Sequence, residues 1–235
     1  MSGRAGAAGW PRAVLFDLDG TLVDSAPDLH GAVDAVLARH GLAPLDLDAV
    51  RGMVGDGVKK LVERAFAARG RPLTGAALDV ATDEMMAVYG GRLTDLTRPM
   101  PAAAAAARRL AATGAGLAVV TNKPRRFAVD ILAAFGLADL FAVVVGGDGA
   151  QPRKPAPDML LAATAALGAT PDMALMVGDS AADVKAARAA GIAVVAVRGG
   201  YTGVPPEALG ADRVIDSLAG LEPAIAALAP TPAAG

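Results

Sequence analysis

Short apolar runs separated by longer helical stretches constrain this 235-residue chain more than any other feature. The runs fall at residues 13–16, 117–120, 141–145, 174–177 and 192–197. Such an alternation reads as a parallel β-sheet covered by helices on both faces. Helices are expected at 101–113, 125–135, 156–167 and 181–190. Each is followed within a residue or two by Gly114, Gly136, Gly168 or Gly191, which stand where C-terminal caps belong. The expected class is α/β, with a Rossmann-like parallel sheet as its core.

One interval breaks the alternation. Between residues 25 and 96 no β-rich run occurs, and apolar residues recur at helical spacing. One stripe is Leu29, Val33, Val36 and Leu37; a second is Val58, Leu61, Val62, Ala65 and Phe66; a third is Leu78, Ala81, Met85, Val88 and Tyr89. Three apolar stripes bury against one another, so the interval reads as an inserted α-helical cap. The expected division is a core of residues 1–24 and 97–235 and a cap of residues 25–96. Ser25, Ala26, Pro27 and Asp28 read as a capping box with Asp in place of Glu. The chain returns to the sheet through Thr97-Arg98-Pro99-Met100-Pro101, where prolines make a stiff connection. Two such connections can act as hinges, making the insert a lid over the sheet.

Directly after the first run come Asp17-Leu18-Asp19-Gly20-Thr21, at the strand end where open α/β sheets keep their chemistry. Residues two apart on an extended chain share a side. Two carboxylates about 4 Å apart repel by roughly 4 kcal/mol at an effective dielectric near 20. A cation is therefore expected to join them, and Mg²⁺, held by one or two carboxylates plus phosphate oxygens, suits the donor set. The plainer reading is a solvated turn.

Three further sites follow later runs. Thr121 and Asn122 offer a hydroxyl and an amide to phosphate oxygens, or else form a helix N-cap. Lys154 is presented by a proline-stiffened loop, although taken without its partners it reads better as a solvated lysine. Asp179 and Asp183, in Gly178-Asp179-Ser180-Ala181-Ala182-Asp183, lie one helical turn apart and can reach one spot, or serve as an acidic first turn.

The charge balance narrows the partners. A net charge of -2 supplies no basic field for nucleic acid or an anionic membrane, so a small molecule is the expected partner. With no cysteine, the chain has no disulfide, thiolate metal site or thiol nucleophile. Its most apolar stretch, residues 100–120, is broken by Arg108, Arg109, Gly114 and Gly116 and is not expected to span a bilayer. Residues 1–11 read as a frayed lead-in rather than a signal peptide, and a cytoplasmic location is expected.

In order, the four signatures Asp17-Leu18-Asp19-Gly20-Thr21, Thr121-Asn122, Lys154-Pro155 and Gly178-Asp179-Ser180-x-x-Asp183 resemble those of the haloacid dehalogenase superfamily of phosphohydrolases. The resemblance implies Asp17 as the nucleophile that accepts the phosphoryl group, and Asp19 as general acid and then base. It implies Mg²⁺ held by Asp17, the Asp19 backbone carbonyl and Asp179, with Asp183 in support, and Thr121, Asn122 and Lys154 at the phosphoryl oxygens. The helical cap after the first motif is similar to that of one superfamily subclass. Within it, Val54-Gly55-Asp56-Gly57, Leu22 through Asp28, and Gly199-Gly200-Tyr201 with Val214-Ile215-Asp216 resemble the phosphoglycolate phosphatases. That closer likeness implies a small organic phosphate, 2-phosphoglycolate first, with Gly55 and Lys59 of the cap near the substrate, though a helix-start turn explains the same residues and is the better reading of Lys59. Alternatives are a pyrophosphatase, a sugar-phosphate phosphatase or a phosphosugar mutase of the same superfamily. A dehalogenase would have less use for the acid at Asp19. Outside enzymes, a phospho-aspartate signalling module also places an Asp at a strand end, but has no need of a lid.

Overall fold

The computed structural model describes residues 9–229. The lead-in and the Ala-Pro tail fall largely outside them. Strands β1 (Ala13–Phe16), β4 (Gly116–Thr121), β5 (Val143–Gly146), β6 (Ala174–Gly178), β7 (Ala193–Val197) and β8 (Arg213–Ile215) form one sheet in the order β5-β4-β1-β6-β7-β8. Every neighbouring pair is parallel.

β1 shows why the runs are apolar throughout. Val14 and Phe16 enter one core cluster and Ala13 and Leu15 enter another on the opposite face, all four without solvent exposure. Side chains alternate across a strand, so a strand covered on both faces has no position left for a polar residue. Helices α5 (Ala103–Ala112), α6 (Arg125–Ala134) and α9 (Leu221–Leu228) cover the first face, and α7 (Asp158–Ala166) and α8 (Ala181–Ala190) the second. The β1 and α8 boundaries match the expected ones and the other expected elements differ by one to two residues at one end or both, with the four capping glycines all at positive φ. β8 and α9 carry too little pattern of their own to stand out from sequence.

From β1 the chain runs through the insert and α5 to β4 and β5 on one side, then crosses back to β6, β7 and β8 on the other. β1 is thus the point where strand order reverses, and a crevice opens at its C-terminal end.

The insert contains α1 (Ala26–Arg39), α2 (Leu47–Arg51), α3 (Val58–Ala68) and α4 (Gly75–Gly90). Leu29, Val33, Leu37, Leu61, Phe66 and Met85 gather in its own core cluster. Phe127 of α6 joins that cluster, its ring edge-on to Tyr89 of α4 at 5.5 Å. Both connections run through an antiparallel ribbon, β2 (Val23–Asp24) against β3 (Arg98–Pro99).

The capping-box reading at Ser25 is corrected. Ser25 makes no side-chain cap bond; its hydroxyl donates to Asp19 at 2.5 Å instead. The fully buried Asp28 accepts from the Thr97 amide and hydroxyl, both at 2.8 Å, and from the Leu96 amide at 3.0 Å. It pins the returning connection to the first turn of α1. Among the described residues, no helix is long and apolar enough to cross a membrane.

Candidate active site

The β1 backbone delivers Asp17 to the crevice while its amide still donates to Val177 of β6 at 2.9 Å. β6 delivers Asp179 just past its own end, and Asp183 lies in the first turn of α8. Ligand oxygens of Asp17, Asp179 and Asp183 lie within 4.8 Å of one another, and all three residues are buried.

Local chemistry holds each in place. Ser180 caps α8 by accepting from the Asp183 amide, while Asp183 Oδ2 accepts from the Ser180 amide at 3.0 Å. Asp179 accepts from the Thr21 hydroxyl at 2.8 Å and from the Tyr201 amide at 2.7 Å. Gly200, beside Tyr201, packs so closely that a methyl group there would overlap the Asp179 carboxylate.

Lys154 enters this acidic cluster from its proline-bounded loop. Its ammonium donates to Val120 O at 2.8 Å and Asp183 Oδ1 at 2.6 Å, and lies 2.9 Å from Asp17 Oδ1. Burial opposes its charge, but Asp17 and Asp183 outweigh that and raise its pKa. One buried cation does not satisfy three buried acids. Burial, reinforced by Asp183 and Asp19 against the pull of Lys154, pushes Asp17 up to about 7. Burial, then the charges of Asp183 and Asp17, raise Asp179 well above the usual carboxylate range. Asp17 Oδ1 has no aligned hydrogen-bond donor. A hard divalent cation fits such a set: oxygen donors, excess negative charge and an oxygen without a hydrogen bond.

The Asp19 side chain has a partner that the sequence did not indicate. Asp19 has a lysine of its own, with Lys123 Nζ at 2.6 Å and 2.9 Å from its two oxygens. Lys123 is buried, and its ammonium lies 4.8 Å from the Tyr89 ring centre. Burial opposes this charge too, but Asp19 prevails and raises the Lys123 pKa. The demand for a cation was legible in the sequence; that each of the two carboxylates has a lysine beside it was not.

Asp17 opens onto a tight cleft of about 30 Å³, far below the roughly 300–1,000 Å³ typical of ligand sites. Asp17, Asp19, Thr121 and Lys123 line the sheet side, and Gly55 and Val58 belong to the insert side. Thr121 accepts from the Lys123 amide at 3.2 Å, leaving its hydroxyl hydrogen available to a ligand.

Two expected contacts do not form. Both amide hydrogens of Asn122 are taken, by Gly55 O at 2.8 Å and Lys154 O at 2.9 Å, so this side chain ties two loops together instead of donating to phosphate. Lys59 is exposed on α3 and pairs with Asp79 at 2.5 Å, away from the cleft lining. The first turn of a helix turns successive side chains through roughly 100° each, so Val58 faces the cleft and its neighbour does not.

This constellation has known counterparts. The model for haloacid dehalogenase-like hydrolases matches residues 11–191. The chain belongs to that family. Among its relatives, a phosphoglycolate phosphatase from Caulobacter vibrioides is 44% identical over 204 residues, covering 87% of this chain and 86% of the relative. A phosphoglycolate phosphatase from Rhodospirillum rubrum is 46% identical over 215 residues, covering 90% and 89%. The crystal structure of a predicted phosphoglycolate phosphatase from Haemophilus somnus superimposes with a TM-score of 0.86 at 32% identity, over 91% of this chain and 97% of that one. The haloacid dehalogenase-like assignment makes the chain a hydrolase, with its acidic cluster at the strand ends of the sheet.

Proposed function

We propose that this hydrolase is a Mg²⁺-dependent phosphatase that converts 2-phosphoglycolate to glycolate and phosphate through an aspartyl-phosphate intermediate. The observation that carries the chemistry is the buried Asp17, Asp179 and Asp183 triad beside Lys154, with Asp17 lining a small cleft. The choice of substrate is supported by the names of relatives 44% and 46% identical to it.

In this reading Asp17, the Asp19 backbone carbonyl and Asp179 hold Mg²⁺, with Asp183 in support. When bound, Mg²⁺ supplies positive charge against the attacking carboxylate and the phosphoryl oxygens. A free Asp17 oxygen attacks phosphorus and the bond to the ester oxygen breaks. Asp19 gives its proton to the departing alkoxide, releasing glycolate. Asp19 then takes a proton from water, whose oxygen attacks the phosphoryl group and restores Asp17. Lys154 and the Thr121 hydroxyl face the charge that builds on the phosphoryl oxygens, where fixed donors contribute most. Dividing the hydrolysis in two lowers the barrier of each step. The insert closes the cleft from above as a lid and excludes bulk water.

Rates across a panel of phosphate esters, with Mg²⁺ and with chelator, test the proposal. 2-Phosphoglycolate is expected to lead, and activity to vanish with chelator. Hydrolysis no faster than that of generic esters refutes the substrate, and full activity in chelator refutes the metal.

A further inference from the structure

We propose that Lys123 selects the substrate by meeting the carboxylate of its leaving group, an inference that rests on the 2-phosphoglycolate reading. Among the described residues lining the cleft, Lys123 is the only cation. Lys154 is not in that lining, and its ammonium donates to Val120 and Asp183 with Asp17 at 2.9 Å. The only anionic acceptors that Lys123 has are the two oxygens of Asp19. Its third hydrogen is left with the Tyr89 side chain, whose ring centre lies 4.8 Å away, and with no charged acceptor.

The chemistry of the leaving group sets the rest. In 2-phosphoglycolate the carboxyl carbon is two bonds from the ester oxygen, the atom to which Asp19 delivers its proton. Lys123 Nζ hydrogen-bonds to Asp19 at 2.6 Å, so an ester oxygen seated on Asp19 places the adjoining carboxylate beside that ammonium. The facing wall offers no other cation. Leu29, Val54, Val58 and Leu61 are apolar, and Lys59 is engaged with Asp79 outside the cleft. A carboxylate enclosed by such a wall without a cation loses its hydration uncompensated. The same arrangement disfavours neutral leaving groups, because the buried ammonium then keeps a donor without an acceptor.

The test compares kcat/KM for 2-phosphoglycolate and for 2-hydroxyethyl phosphate, an ester of the same length that lacks the carboxylate, in the Mg²⁺-loaded protein. Wild type is expected to favour 2-phosphoglycolate, and Lys123→Gln to reduce that preference at least ~30-fold, mainly through KM, as for loss of one partner of a buried charge pair. Lys123→Arg is expected to retain most of the preference. If Lys123→Gln lowers kcat for both esters by one factor and leaves their ratio unchanged, Lys123 only positions Asp19 and the proposal is overturned. Should Lys123→Gln not fold, Asp19→Asn and Asp19→Asn/Lys123→Gln remove the buried acid first, and calorimetric binding of the two esters replaces turnover. The double variant is then expected to lose affinity for 2-phosphoglycolate alone, and equal losses for both esters overturn the proposal. A wild type indifferent to the carboxylate overturns the substrate reading and this inference with it; a wild type that discriminates while its variants do so equally well overturns this inference alone.

Discussion

Replacing the nucleophile by its neutral isostere is expected to stabilise the metal-free protein while ending catalysis. Asp17 has an ordinary carboxyl pKa of 3.8 when exposed and about 7 in the fold. Between those values the folded chain holds a proton that the unfolded chain has released, so stability falls as pH rises through the window. The contribution is whole below 3.8 and is lost once pH exceeds about 7. At about 1.4 kcal/mol per unit, ionising Asp17 removes about 4 kcal/mol. Asp17→Asn escapes that loss, but Lys154 keeps only Asp183 as an anionic partner, which reduces the gain to about 2–4 kcal/mol. The assay is urea unfolding in chelator at pH 5 and pH 8. Asp17→Asn is expected to exceed wild type by more at pH 8 than at pH 5, the gap widening by up to about 3 kcal/mol. Excess Mg²⁺ is expected to narrow the gap at pH 8, since it favours the folded wild type through its triad. A variant less stable than wild type at pH 8, or a gap that ignores pH, refutes the account of the triad as an uncompensated acidic cluster.

Lys154→Met is expected to cut kcat by about 10²–10³ and, in metal-free protein, to cost about 3–5 kcal/mol, because buried carboxylates lose their cation; steady-state rates and urea unfolding in chelator measure the two. Gly200→Ala drives a methyl group into the Asp179 carboxylate and is expected to weaken Mg²⁺ binding about 10–100-fold by titration calorimetry, with little change in the far-ultraviolet circular dichroism. Asp28→Ala leaves the Leu96 and Thr97 amides without their acceptor; at about 1–3 kcal/mol for each unpaired donor, it is expected to lower the unfolding free energy and expose residues 92–101 to limited proteolysis.

What neighbouring residues decide was legible in the chain. The apolar run before Asp17, the cap at Gly191 and the helical stripes of the insert depend on periods of 2 and 3.6 residues and on single-residue conformations, and these survive in one dimension. The strand-end position of Asp17 and Asp179 follows from the same patterns. Tertiary structure decided who meets whom. Lys123 reaches Asp19 across 104 positions, and Thr97 reaches Asp28 across 69. Tyr201 orients Asp179 through a backbone amide that no side-chain pattern betrays. Asn122 and Lys59 carry the right chemistry for a phosphate or a carboxylate, yet one is occupied by two carbonyls and the other turned outward by helix geometry. A residue type states what bonds a side chain can make; only packing states which of them are already made, and that difference separates a plausible ligand from a working one.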